Sequence, residues 1–93
     1  MIRSFKSKVT QQVAKGQSPK GFPADLLNSA RRKLFLLDNA TSLEDLRVPP
    51  ANRLEALKGN RVGQYSIRVN DQYRLCFRWE DGHAEDVEFV DYH

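Results

Sequence analysis

The stretch QYSIRVNDQYRLCFRWEDGHAEDVEFV, residues 64–90, constrains the fold more than any other part of the chain. Apolar and polar residues alternate through it, which is typical of β-strands with one covered face. Two short runs of turn-forming residues, 70–72 and 81–83, interrupt the alternation. The pattern predicts three strands joined by tight turns, and a shorter strand is predicted in RLEAL before them. Together they predict an antiparallel sheet.

The length of the second turn decides which side chains share a face. A two-residue turn at Asp81 and Gly82 would place Glu80 opposite His83 and mix apolar and charged residues on both faces. A three-residue loop shifts the register by one position and sorts the two faces. We therefore predict a loop over residues 81–83. The predicted pairs are Trp79 with Glu85, Arg78 with Asp86, Phe77 with Val87, Cys76 with Glu88 and Leu75 with Phe89.

The first turn, taken as residues 70–72, places two arginines side by side. Val69 then faces Tyr73, and on the other face of the sheet Arg68 lies directly opposite Arg74. Like charges in such a position destabilise a sheet, so the pairing predicts an anion site between them. In the alternative, both guanidinium groups extend into water. The same repulsion predicts that Arg74→Ala leaves stability unchanged or raises it.

The N-terminal half is predicted to be helical after a short strand, IRSF. Phe5, Val9 and Val13 are spaced four apart, which predicts one face of a first helix. Ser42 and Asp45 have the spacing of a capping box and predict a further helical turn. A second helix is predicted from an apolar stripe of Leu26, Leu27, Ala30, Leu34 and Leu37. The order predicts an α+β domain, with an N-terminal strand and two helices packed on one face of an antiparallel sheet.

Length and composition set further limits. Ninety-three residues allow a single domain, residues 1–93. The net charge of +3 is uneven, because residues 1–33 hold eight Lys or Arg and one acidic residue, whereas residues 80–93 hold six acidic residues and no basic one. Such polarity suits a polyanionic partner, and ordinary surface charge for solubility is the alternative. No apolar run suits a membrane span or a secretory signal, so a cytoplasmic location is expected.

The cysteine and histidine content excludes some chemistry. Cys76 is the single cysteine, so an internal disulfide is excluded, and its place in a predicted strand indicates a packed thiol. His83 and His93 do not have the spacing of metal ligands. We expect no bound metal and no cofactor.

The segment LEALKGNRVGQYSIRVNDQYRLCFRWEDGHAEDVEFVDYH, together with the opening MIRSF, closely resembles the HigB-type toxins of the RelE/ParE superfamily. The resemblance covers essentially the whole chain, and LKG, SIRVNDQYRL and the final VDYH are its most specific parts. It implies a toxin of a type II toxin–antitoxin system, a ribosome-dependent endoribonuclease that cuts messenger RNA in the ribosomal A site. It also implies a helix-turn-helix antitoxin of the HigA type.

Five residues match functional positions of these toxins: Lys58, Arg74, Asp91, Tyr92 and His93. Cleaving RNA with its own 2′-hydroxyl needs a base, an acid and cations that stabilise the phosphorane. Arg74 and Lys58 suit the last task, and His93 suits proton transfer near neutral pH. Asp91 can orient His93 or act itself, and Tyr92 can stack on a base or bond the phosphate.

One position departs from the resemblance. Family members can carry a catalytic histidine where this chain has Glu55 in LEALKG, so Glu55 is a candidate base, and a solvated carboxylate is the alternative. Nearby basic side chains add candidate RNA contacts. They are Lys58, Arg61, Arg68 and Arg78.

Two questions stay open at this level. Strict alternation puts Asp91 and His93 on the opposite face from Tyr92, so a shared site needs a twist or bulge near the end of the chain. We expect the final Asp-Tyr-His to complete the site.

The alternatives for function are a ParE-like protein-binding inhibitor that poisons DNA gyrase, and a ribosome- or RNA-binding module with little cleavage activity.

Overall fold

A computed structural model describes residues 1–91. Within these residues, two α-helices precede a four-stranded antiparallel sheet in the order β1-β2-β3-β4. The helices are α1 (Lys8–Ala14) and α2 (Leu27–Asn39), and the strands are β1 (Glu55–Ala56), β2 (Gln64–Arg68), β3 (Tyr73–Glu80) and β4 (His83–Asp91). Short 3₁₀ turns cover Ala24–Leu26, Leu43–Arg47, Pro50–Asn52 and Gly59–Arg61. The predicted α+β class, with helices packed on one side of an antiparallel sheet, is confirmed.

The N-terminal segment is extended and lies beside β4. Its bridges are parallel and isolated, Ile2 with Ala84 and Phe5 with Val87. The amides of Arg3 and Lys6 donate to β4 carbonyls at 2.8 and 3.0 Å. The predicted first strand therefore exists as an edge segment with two bridges. It joins the basic beginning of the chain to its acidic end.

The β3–β4 hairpin combines the two registers that the sequence allowed. The turn has two residues, with Glu80 opposite His83, so the predicted three-residue loop is wrong. Asp81 and Gly82 both have positive φ, 52° and 79°, as a type I′ turn requires. Beyond the register shift the predicted pairs are confirmed, Cys76 with Glu88 and Leu75 with Phe89.

A β-bulge allows a two-residue turn while still keeping apolar and polar side chains on separate faces of the sheet. Asp86 has a φ of 53°, and the register changes between Cys76 and Arg78. A bulge leaves a backbone amide without a partner on the neighbouring strand. Here the Asp86 amide donates to the Ser4 hydroxyl of the N-terminal segment at 2.8 Å instead. On the turn side of the bulge, Trp79 pairs with Ala84 and Arg78 with Glu85, not with the partners predicted.

The β2–β3 hairpin has the predicted register. Arg68 pairs with Arg74, and the Val69 amide donates to the Tyr73 carbonyl at 3.0 Å. Asn70 Oδ1 accepts hydrogen bonds from the amides of Gln72 and Tyr73, which closes the loop as an Asx turn. The loop therefore determines which side chains reach each face of the sheet.

The core lies between the helices and one face of the sheet. The predicted stripe of α2 is confirmed, with Ala30, Leu34 and Leu37 buried against the sheet. From the sheet, the buried side chains are Ile67, Val69, Leu75, Phe77, Ala84 and Val87. The predicted capping box is also confirmed, since Ser42 and Asp45 bond each other's backbone at the turn Leu43–Arg47.

The buried face of α1 differs from the prediction. Phe5 lies before the helix, so its spacing to Val9 is not a helical spacing, and Val9 is 40% exposed. Val13 is buried as predicted, and Thr10 faces inward beside it. The Thr10 hydroxyl accepts a hydrogen bond from the Phe89 amide at 3.1 Å, which ties α1 to β4.

Candidate functional site

The face of the sheet away from the helices carries a continuous polar row. Backbone pairing places Glu55 opposite Ser66, Ser66 opposite Cys76, and Cys76 opposite Glu88. Paired residues project to the same face, so one row crosses all four strands. Arg74 lies on the same face, two positions before Cys76. We call this side of the sheet the polar face.

Arg74 is the buried centre of the polar face, with 8% of its surface exposed. Its Nε donates to the Ser66 hydroxyl at 2.7 Å. Its Nη2 donates to the Arg53 carbonyl at 2.5 Å and lies 3.4 Å from the Ser66 carbonyl. The Glu55 carboxylate is 3.8 Å from Nη2, at the solvent side. Arg74 is therefore a positioned cation that touches a half-exposed carboxylate.

The loop before β1 shapes the Arg74 surroundings. Arg53 has left-handed backbone angles, φ 45° and ψ 59°, at the end of the turn Pro50–Asn52. Asn52 is fully buried, and its amide donates to the carbonyls of Leu46 and Val48 at 3.1 and 3.3 Å. The Lys33 ammonium of α2 donates to Asn52 Oδ1. These contacts hold the residue next to Arg53.

The two opposed arginines bind different groups of the protein. Arg68 forms an ion pair with Asp71 in the hairpin loop, whereas Arg74 donates to Ser66 and Arg53. Internal acceptors therefore relieve the repulsion that the sequence predicts. The alternative in which both side chains extend into water is wrong, because Arg74 is buried. The anion site between the two arginines stays a prediction.

The other candidate RNA-binding residues differ in their surroundings. Lys58 is exposed and precedes the turn Gly59–Arg61. Arg61 is part-buried; it donates to Gln64 at 2.9 Å and lies 3.5 Å from the Glu88 carboxylate. Arg78 bonds Asp86 at 2.9 Å and Glu80 at 2.5 Å. Partners on the acidic strand thus neutralise part of the basic set.

Part of the charge asymmetry of the sequence is balanced by ion pairs within the fold. Glu85 pairs with Arg3 at 2.5 Å, and Glu88 lies 3.6 Å from Lys6. Both carboxylates belong to β4, and both cations belong to the N-terminal segment beside it. The acidic end of the chain thus binds the basic beginning, which explains part of the polarity without an external polyanion.

Asp91 pairs with Tyr73, on the opposite face from Arg74, as alternation predicts. Its carboxylate accepts a hydrogen bond from the Gln72 side chain at 3.0 Å. The bulge in β4 lies at Asp86, before this segment, so it does not change the alternation from Glu88 to Asp91. The predicted site residues Tyr92 and His93 lie outside the described residues.

Several residues of the site were not foreseen from the sequence. The Ser66 hydroxyl and the Arg53 carbonyl accept hydrogen bonds from Arg74. The position of Ser66 could have been inferred from alternation, which places Ser66 and Arg68 on one face and Ile67 on the other. Nothing in the sequence indicated the Arg53 carbonyl. Cys76 is confirmed as a packed thiol, fully buried, and burial raises its pKa. The neutral thiol favoured by that shift is a poor nucleophile.

The part of the chain from residue 1 to residue 91 contains no group of three or more His, Cys, Asp or Glu side chains that could hold a metal ion. Within the same residues, no helix is both long and apolar enough to span a membrane.

Comparison with known proteins places the chain in a family. The profile described as the RelE-like toxin of the type II toxin–antitoxin system HigB matches residues 3–93. Toxin HigB-1 of Vibrio cholerae is 46% identical over 85 residues, which cover 90% of each chain. The Endoribonuclease HigB of Proteus vulgaris is 32% identical over 93 residues, the full length of both.

The fold has counterparts among solved structures. The YoeB–YefM complex from Staphylococcus aureus contains a chain with a TM-score of 0.62 and 20% identity, covering 100% of this chain and 98% of that one. At this identity the likeness concerns the fold. The match over residues 3–93 and the 46% identity to the Vibrio cholerae toxin show that the chain belongs to the HigB-like toxins, the RelE-like toxins of type II toxin–antitoxin systems.

Proposed function

We propose that this toxin is a ribosome-dependent endoribonuclease that cuts messenger RNA in the ribosomal A site and so inhibits translation. The observation that carries the proposal is the Arg74 guanidinium, held on the polar face with the Glu55 carboxylate 3.8 Å away. A fixed cation beside a carboxylate provides two of the groups that phosphate chemistry on RNA requires. The name of the Proteus vulgaris relative, Endoribonuclease HigB, supports the same activity.

The proposed reaction uses the RNA itself as nucleophile. A base removes the proton of the 2′-hydroxyl, whose oxygen attacks the adjacent phosphorus and forms a phosphorane. The bond to the 5′-oxygen then breaks, and an acid protonates that oxygen as it leaves. The products are a 2′,3′-cyclic phosphate and a 5′-hydroxyl. Because the nucleophile comes from the RNA, the reaction can proceed with side chains alone, and we propose that it is independent of metal.

Glu55 and Arg74 take complementary roles in this proposal. The Glu55 side chain is 54% exposed, so RNA can reach it. The Arg74 side chain is 10% exposed and is held by the Ser66 hydroxyl and the Arg53 carbonyl. We assign Glu55 as the base and Arg74 as the group that stabilises the phosphorane. A buried guanidinium that is already oriented needs little reorganisation as charge develops, and this is the condition under which such groups act best.

The final residues complete the assignment. His93 is proposed as the acid because an imidazole of ordinary pKa can donate a proton near neutral pH. Tyr92 is proposed to stack on a base or bond the phosphate, and Asp91 to orient His93 or act itself. These roles come from the match of the terminal Asp-Tyr-His to the HigB-type toxins.

The basic residues are proposed to contact RNA to different degrees. Lys58 is exposed and free to follow a phosphate backbone, so it is the strongest candidate. RNA must compete with internal carboxylates for the others. Arg61 lies near Glu88, Arg68 pairs with Asp71, and Arg78 pairs with Asp86. We therefore expect smaller losses of affinity from substituting these arginines than from substituting Lys58.

The partners follow from the same proposal. We propose an antitoxin of the HigA type, the ribosome and messenger RNA as partners, and a cytoplasmic site of action. Residues 1–93 are proposed to act as one domain. An antitoxin is part of the system to which the family belongs.

A translation assay tests the proposed function. Purified toxin is added to ribosomes programmed with a defined messenger, and the cut positions are mapped; the same messenger without ribosomes is the parallel sample. We expect cuts within the codon in the A site only when ribosomes are present. Arg74→Ala should lose most cuts, whereas Arg47→Ala, which removes an exposed arginine paired with Glu44, should keep them. An intact messenger on the programmed ribosomes, or equal cutting without ribosomes, would contradict the proposal.

A further inference from the structure

The protein holds one edge of the Arg74 guanidinium. Both Nε and Nη2 donate to acceptors of the protein, the Ser66 hydroxyl and the Arg53 carbonyl. These two nitrogens form one edge of a planar guanidinium. An edge held at both ends also fixes the direction of Nη1, because the group is rigid.

We propose that Ser66 and the Arg53 carbonyl form a cradle that positions Arg74 for phosphorane stabilisation. Ser66 is a positioning residue in this scheme, acting through Arg74 and not on the RNA. The inference rests on the proposed function, since it gives Arg74 its role. It goes further because it gives a buried serine and a backbone carbonyl the role of orienting Arg74.

The burial of Ser66 makes the hydroxyl an effective anchor. Its surface is fully buried, and strand pairing places it between Glu55 and Cys76. A charge-assisted hydrogen bond is stronger where water is excluded, and the 2.7 Å length is that of a short bond to a cation. The hydroxyl therefore restricts Arg74 to a narrow range of orientations.

The second half of the cradle is built by the loop before β1. The left-handed conformation of Arg53 directs its carbonyl toward Nη2, and a non-glycine residue adopts it only where surrounding contacts impose it. Those contacts come from Asn52, which bonds two loop carbonyls and accepts a hydrogen bond from Lys33 of α2. The cradle thus links the helical layer to the polar face.

Cleavage kinetics on ribosomes provide the first test. Ser66→Ala is expected to lower the single-turnover cleavage rate about 10- to 100-fold, the order expected when a catalytic group is misplaced by about 1 Å. The ribosome concentration for half-maximal rate should stay unchanged, because Ser66 does not touch RNA. Cys76→Ala is the matched control, buried on the adjacent strand directly opposite Ser66, and should keep the wild-type rate. In an Arg74→Ala background, Ser66→Ala should add no further loss.

The outcomes separate the inference from the proposed function. If Arg74→Ala cleaves at the wild-type rate, the assignment of Arg74 under the proposed function fails. If Arg74→Ala loses cleavage and folded Ser66→Ala keeps it, only the cradle is overturned.

A second measurement is made on the wild-type protein, and a variant is needed only to assign one signal. Proton–nitrogen NMR of the wild-type protein, with Arg74→Lys used to assign the signal, reports the exchange of the Arg74 Nε proton with water. We expect exchange slower than that of the Nε proton of exposed Arg47. An Arg74 Nε proton that exchanges as fast as that of Arg47 would overturn the proposal.

Discussion

Arg68 and Arg74 are direct neighbours across β2 and β3, yet their guanidinium groups bind different acceptors. Arg68 pairs with Asp71 in the hairpin loop, and Arg74 binds Ser66 and the Arg53 carbonyl. These separate partners offset the repulsion expected from the register of the two arginines. They also leave Arg74 in a defined place on the polar face, beside Glu55.

The stability of Arg74→Ala should therefore be lower than that of the wild type. The substitution leaves the Ser66 hydroxyl and the Arg53 carbonyl without their donor in a buried place, a loss of roughly 1–3 kcal/mol. For a domain of this size, each kcal/mol lowers the melting temperature by about 4–8 °C. This reverses the expectation from sequence of an unchanged or raised stability. Thermal unfolding followed by circular dichroism measures the change, and a melting temperature at or above the wild-type value would restore the repulsion argument.

Substitutions at Glu55 should show whether it acts as the base. Glu55→Gln keeps the shape of the side chain but cannot accept the proton, so cleavage should fall by about 10²- to 10⁴-fold. Glu55→His places there the residue that family members can carry, and should increase cleavage. The assay is messenger cleavage on purified ribosomes, with Glu44→Gln, an exposed carboxylate paired with Arg47, as control. Unaltered cleavage in both Glu55 variants would place this residue outside the site.

His93 should be required for toxicity. Because it is assigned as the proton donor, His93→Ala and deletion of His93 should both abolish growth inhibition while the melting temperature stays the same. Growth curves after induced expression, together with thermal unfolding of the purified variants, measure the two effects. Full toxicity of a protein that ends at Tyr92 would rule out this role.

The capping box at Ser42 and Asp45 should make stability depend on pH. Hydrogen bonds from Thr41 and Ser42 lower the pKa of Asp45 in the folded protein. A carboxyl with a depressed folded pKa stabilises above its unfolded pKa, and this contribution is lost as the pH falls through the folded pKa. Asp45→Ala should therefore lower the melting temperature at neutral pH, and the difference from the wild type should shrink in acid. The exposed carboxylate variant Asp25→Ala is the control, and an Asp45→Ala difference that is the same at both pH values would contradict this assignment.

Alternation was enough to predict most of the sheet. The pairs Arg68 with Arg74 and Leu75 with Phe89 follow from the sorting of apolar and polar residues. The turn length did not follow, because the bulge at Asp86 depends on the Ser4 hydroxyl, which is distant in sequence. The face of α1 was misassigned because Phe5 belongs to the segment that pairs with β4.

The sequence predicted several residues of the candidate site, but it did not predict their contacts. Arg74, Glu55 and Lys58 were recognised through the resemblance to HigB-type toxins. One partner of Arg74 is the carbonyl of Arg53, which has a left-handed backbone next to the buried Asn52. A pattern of alternating residues carries no information about the direction of a loop carbonyl, so that half of the site required the structure.

The chemistry of the cut ends tests the central claim most directly. Messenger fragments released by the wild-type toxin on programmed ribosomes are analysed by mass spectrometry. Attack by the 2′-hydroxyl predicts an upstream fragment that ends in a 2′,3′-cyclic phosphate, or in the 3′-phosphate formed by its hydrolysis, and a downstream fragment that begins with a 5′-hydroxyl. Fragments with a 3′-hydroxyl and a 5′-phosphate would show that water was the nucleophile and would contradict the roles assigned to Glu55 and Arg74.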